Sequence, residues 1–107
     1  MIEVCWHPIH YRLTVKGHAR SNEAGKDLVC AGASTLTMAM AANVETMEKR
    51  GMLWKTQIRL ESGDAEIQCN PKTNYKSVAA LAMEAIVLGF DALAAQYPEY
   101  IRVVCLG

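Results

Sequence analysis

Tyr11-Arg12-Leu13-Thr14-Val15-Lys16-Gly17-His18-Ala19, followed after a polar stretch by Asp27-Leu28-Val29-Cys30-Ala31, decides how this chain is read. Residues 11–16 alternate apolar and polar, the pattern of a half-buried strand. Gly17 permits a turn, and His18 follows it. Ser21-Asn22-Glu23-Ala24-Gly25 reads as loop. From Leu28 the chain is rich in Ala, Leu and Met at helical spacing, so Asp27 is a good helix N-cap and Cys30 falls in the first turn. The segment therefore predicts strand, loop and helix, with one histidine and one cysteine at the two ends of the loop.

That placement suggests chemistry. The unpaired N–H groups of a helix N-terminus carry partial positive charge, which favours a thiolate over a thiol. A histidine brought near by the loop can serve as its base, and the same N–H groups can hold an oxyanion. Asp27 is the ambiguous member. As an N-cap it stabilises a helix by about 1 kcal/mol with no catalytic duty, and a carboxylate beside Cys30 opposes thiolate formation unless it pairs with a protonated His18. Ser34 lies one turn past Cys30, placed either to donate within the site or to bond back to the Cys30 carbonyl.

Working outward, Ile2 to Trp6 reads as a first strand, and His7-Pro8 turns into a second, Ile9 to Lys16. The first helix spans Asp27 to about Arg50, and Gly51 is its stop. Leu53 to Glu61 alternates, with Trp54, Thr56, Ile58 and Leu60 on one face and Lys55, Gln57, Arg59 and Glu61 on the other. Ser62-Gly63 turns into a shorter strand, Asp64 to Cys69, broken by Asn70-Pro71. A second helix runs from about Tyr75 to Gln96, and a last strand from Tyr100 to Cys105. The order strand-strand-helix-strand-strand-helix-strand predicts an α+β fold: a mostly antiparallel five-stranded sheet with two helices packed on one face. The first helix is apolar around most of its circumference, which asks for more cover than one sheet gives and points to a homodimer.

At these residues the chain resembles a known family, the ribosomal-processing cysteine proteases called Prp. The family carries a G-H-A element, then G-x-D-[IV]-V-C-A with a serine four residues past the cysteine. Here those are Gly17, His18 and Ala19, then Gly25, Asp27, Leu28, Val29, Cys30, Ala31 and Ser34. The likeness extends from Met1-Ile2-Glu3-Val4 to the closing helix, Tyr97-Pro98 and final strand. It implies a cytoplasmic endopeptidase that removes a short N-terminal extension from a large-subunit ribosomal protein, cutting after phenylalanine. It implies Cys30 as nucleophile and His18 as general base, with Asp27, Ser34 and Gly17 in support. Arg20, Ser21, Asn22, Glu23 and Gly25 would form a substrate loop. Phage relatives imply an alternative substrate, a virion or scaffold protein. A third reading is a peptide-binding module that does not cut. Arg20-Ser21 and Gly32-Ala33 depart from the usual pattern and bear on substrate choice.

Composition sets the outer bounds. The 107 residues, 51% of them hydrophobic with zero net charge, suit one domain over 1–107. No basic run suggests nucleic acid. The apolar runs are broken by polar residues short of a membrane span, and Met1-Ile2-Glu3-Val4 is unlike a signal peptide. His7 and His10 lack a third ligand at metal-binding spacing, so no metal or cofactor is expected. Cys5, Cys69 and Cys105 fall in strands and read as core thiols of a reducing compartment, as Trp6 and Trp54 read as core or interface.

Overall fold

Five strands and two long helices follow one another in the computed structural model, which describes residues 1–18 and 24–107. They are β1 (Ile2–His7), β2 (Arg12–Lys16), α1 (Ala24–Lys49), β3 (Leu53–Glu61), β4 (Asp64–Pro71), α2 (Lys76–Gln96) and β5 (Ile101–Cys105). Across the sheet the order is β3-β4-β2-β1-β5. The β1–β2, β2–β4 and β3–β4 pairs are antiparallel and β1–β5 is parallel, so the sheet is mixed. Each helix is a crossover. α1 carries the chain from the end of β2 back to the end where β3 starts, and α2 does the same between β4 and β5. A strand reached by such a return runs parallel to the one before it.

Alternation puts Ile2, Val4 and Trp6 of β1, Leu13 of β2, Ala65, Ile67 and Cys69 of β4 and Ile101 of β5 on one buried face. Val29, Ala33, Met40, Val44 and Met47 of α1 and Ala79, Met83, Val87 and Phe90 of α2 pack onto it at helical spacing. Burying a side chain the size of Phe90 contributes about 1.5–3 kcal/mol. The opposite face stays polar. Arg102 there donates to the Glu3 carboxylate, and Arg59 Nη1 sits 2.6 Å from Asp64 Oδ2.

Several boundaries differ from expectation. β2 begins at Arg12 rather than Ile9, because Pro8–His10 form a 3-10 turn closed by the Tyr11 N–H on the Pro8 carbonyl at 3.4 Å. β4 continues to Pro71, which pairs with Leu53 at the strand's end, where the missing N–H does no harm. A bulge between Leu53 and Lys55 takes Trp54 out of the alternation. Trp54 is 70% exposed, with the Lys72 ammonium 4.7 Å from its ring centre, whereas Trp6 is core. Of the three strand cysteines only Cys69 is buried; Cys5 is half-buried and Cys105, the last residue of β5, is exposed.

The membrane-span expectation also needs correction. By length and composition alone both helices are long and apolar enough to cross a bilayer. Interspersed alanines and methionines raise the average hydropathy even though polar residues break every run. On α2, Val78, Leu81 and Leu88 remain exposed as an apolar stripe facing away from the sheet.

Candidate active site

A cleft of about 300 Å³ opens where the start of α1 meets the ends of β1 and β2 and the β3–β4 turn. His18 and Cys30 both line it, together with Gly17, Ser34, Thr37 and Met38 on one side and Leu60 to Ala65 on the other. The twelve-residue spacing between His18 and Cys30 thus brings the two side chains to one cavity. Cys30 is half-buried and packs against the edge of the core, and His18 is exposed.

The backbone that carries His18 is anchored by two glycines. Gly17 adopts φ +100°, and a Cβ there would stand 2.3 Å from the Met1 carbonyl oxygen. Its N–H donates to the Gly63 carbonyl at 2.9 Å, which ties the end of β2 to the β3–β4 turn. Gly63, at φ +71°, lies directly against the imidazole: a Cβ on it would stand 2.1 Å from His18 Nε2. Only glycine combines that backbone conformation with that approach. Gly63 is therefore a residue of the site that sequence reasoning saw only as a turn.

The helix start differs from the prediction. α1 begins at Ala24, three residues before Asp27, so Gly25 is helical rather than looped. Asp27 stands in the first turn, exposed and outside the cleft lining, instead of capping the helix. Its negative charge still complements the helix N-terminus. Cys30 moves to the second turn, where its own N–H is spent on the helix ladder. The first turn of the helix, residues 24–27, lies a turn earlier. The hydroxyls of Thr35, Thr37 and Thr46 bond back to carbonyls four residues earlier, whereas Ser34 makes no such bond and faces the cleft. Arg20, Ser21, Asn22 and Glu23, read as a substrate loop, lie outside the described residues.

Sequence reading missed most of the opposite wall. Leu60 on that wall, and Met38 across from it, line the cleft while 51% and 59% exposed, so its mouth presents open apolar surface. Asp64 closes the turn, its carboxyl held below the usual carboxylate range by the Arg59 guanidinium. Burial pushes the Cys69 thiol up to about 11, which makes it inert. Among the described residues, no three His, Cys, Asp or Glu side chains converge.

The sequence pattern of the family described as "Cysteine protease Prp" matches residues 1–102. The chain belongs to the cysteine protease Prp family. It is an enzyme of that class, acting on peptide bonds through a cysteine. Among solved structures, the ribosomal processing protease Prp of S. aureus, described as a complex with a covalently linked product peptide, superposes with a TM-score of 0.71 at 24% identity. That match covers 99% of this chain and 100% of the other. A second S. aureus Prp structure, described with a substrate peptide, gives 0.69 at 19%, covering 98% and 97%. At those identities the likeness is one of fold. The protein SMU.848 of Streptococcus mutans gives 0.65 at 27%, covering 98% and 91%. No curated protein matches this sequence.

Proposed function

We propose that this Prp-family protease is a single-domain cytoplasmic endopeptidase that removes the N-terminal extension of a large-subunit ribosomal protein, using Cys30 as nucleophile and His18 as general base. The observation that carries the reading is the convergence of His18 and Cys30 on one cleft in a chain of this family. The S. aureus relatives, described as ribosomal processing proteases, support the choice of substrate.

In this mechanism Cys30 Sγ attacks the scissile carbonyl carbon and forms a C–S bond, and charge collects on the carbonyl oxygen. His18, protonated, gives its proton to the leaving amine as the C–N bond breaks. Water then attacks the thioester with His18 as base, releasing the acid and restoring the thiol. The Ser34 hydroxyl, one turn beyond Cys30, is the donor placed to meet the oxyanion. The exposed apolar stripe of α2 supports a homodimer, in which a second copy covers Val78, Leu81 and Leu88.

The test is cleavage of a synthetic peptide copying the ribosomal protein's N-terminal extension, read by mass spectrometry. A single cut after phenylalanine, lost in Cys30→Ala and reduced at least ~10³-fold in His18→Ala, is the expected result. Wild-type cleavage by Cys30→Ala would refute the nucleophile. Full activity of His18→Ala between about pH 5 and 8, where histidine titrates, would refute the base.

A further inference from the structure

β3 is an edge strand, and its register shows which of its backbone groups are unused. The turn at Ser62-Gly63 has two residues, so its closing pair, Glu61 and Asp64, exchanges hydrogen bonds. Pairs then alternate along the ladder. Arg59 with Glu66 and Gln57 with Gln68 are bonded; Leu60 with Ala65, Ile58 with Ile67 and Thr56 with Cys69 are not. The other side of β4 agrees: the Cys69 N–H turns away from β3 and donates to the Tyr11 carbonyl at 3.1 Å. The N–H and C=O groups of Thr56, Ile58 and Leu60 consequently point outward, where no strand of the described residues lies.

Protein edges are usually blunted by bulges, lysines or proline. β3 has those devices only at its start: the Leu53/Lys55 bulge, Lys55 itself, and Trp54 beneath Lys72. From Thr56 to Leu60 there is neither proline nor bulge. That open half ends at Leu60, which also lines the cleft of His18 and Cys30.

We propose that peptide substrate docks as an added strand on the outer edge of β3, paired with the backbone of Ile58 and Leu60, and passes over the Ser62-Gly63 turn to reach Cys30. The identity of the occupant as substrate rests on the peptidase reading; continuity of the edge with the cleft is what selects it. Side chains of an added strand alternate between two faces. One set meets exposed Met38 and Leu60, and the other meets Arg59 and Glu61. The site therefore fits an extended peptide with apolar residues at every second position and polar residues between, held by main-chain bonds as in other strand-addition complexes.

The experiment is a backbone N-methyl scan of a synthetic peptide of that pattern, with phenylalanine before the scissile bond. It is paired with amide exchange by NMR on Cys30→Ala with and without the peptide. Each lost main-chain bond is worth about 1 kcal/mol, so N-methylation lowers kcat/KM about fivefold at alternate positions and leaves those between unchanged. The Ile58 and Leu60 amides exchange fast in the protein alone and are protected by the peptide. Cleavage without alternation, and exchange at Ile58 and Leu60 unmoved by peptide, overturns the edge while leaving the peptidase intact. Protection without cleavage upholds the edge and removes the assignment of the bound peptide as substrate. If the two amides are already protected without peptide, in proportion to protein concentration, a second copy occupies the edge and the proposal fails. Exchange unmoved at the highest peptide concentration, with no cleavage, overturns both.

Discussion

Gly63 is where a single methyl group separates backbone strain from damage to the site. Alanine there meets two penalties: a left-handed φ of +71°, and a Cβ 2.1 Å from His18 Nε2. Gly51 supplies the control, since it has φ +74° with nothing within 4 Å of an added Cβ. Both Gly63→Ala and Gly51→Ala should lose about 1–2 kcal/mol of stability in thermal or urea unfolding. Only Gly63→Ala should lower kcat, by about tenfold or more, because its Cβ displaces the imidazole. Equal activity of the two variants would remove Gly63 from the site. Nothing in the dipeptide Ser62-Gly63 announces this role. The turn is legible from sequence, but its contact with His18 depends on how β4 pairs with β2, a long-range fact that no local pattern encodes.

Among elements, the β3–β4 hairpin joins stability to the cleft. The Arg59 guanidinium, hydrogen-bonded to Asp64, depresses that carboxyl's pKa. A carboxyl whose folded-state pKa is depressed adds stability that is complete above its unfolded value and is lost as pH falls through the lowered one. Arg59→Ala should therefore lower stability near pH 7, with the loss fading as pH falls below the carboxylate range, as followed by the urea-unfolding midpoint in circular dichroism. A midpoint unmoved by the substitution would show that the pair does not contribute. The strands and helices themselves were readable because alternation and helical spacing are local. The start of α1 was not. Asp27 is a strong capping residue, yet the helix reaches back to Ala24 and leaves the aspartate in its first turn. Capping preference is worth about 1 kcal/mol and yields to whatever residues precede it. The start of β2 failed for a related reason: Ile9 continues an alternating pattern, but Pro8 fixes a backbone angle that suits the 3-10 turn.

For the whole molecule, the two helices cover only one sheet face, and the outer surface of α2 stays apolar. Sequence composition predicts an incompletely covered α1. Both helices leave apolar residues exposed, Leu28 and Met38 on α1 and the stripe of Val78, Leu81 and Leu88 on α2. If the stripe is a dimer interface, the double substitution Leu81→Glu and Leu88→Glu should convert a dimer to a monomer in sedimentation equilibrium. Two carboxylates per chain cannot be buried there unpaired. A native chain that sediments as a monomer at all accessible concentrations would contradict the dimer.

The parallel β1–β5 pair follows from the α2 crossover and places β1, whose Ile2 lines the cleft, inside the sheet between β2 and β5. The account depends above all on Cys30 being the residue that bonds to substrate, and acid-quenched mass spectrometry of the enzyme mixed with its peptide measures this directly. A thioester adduct of the N-terminal product mapped to Cys30, absent in Cys30→Ala and absent from Cys5, Cys69 and Cys105, is the predicted result. Cleavage accompanied by an adduct on another cysteine, or undiminished cleavage by the Cys30→Ala variant, would contradict it.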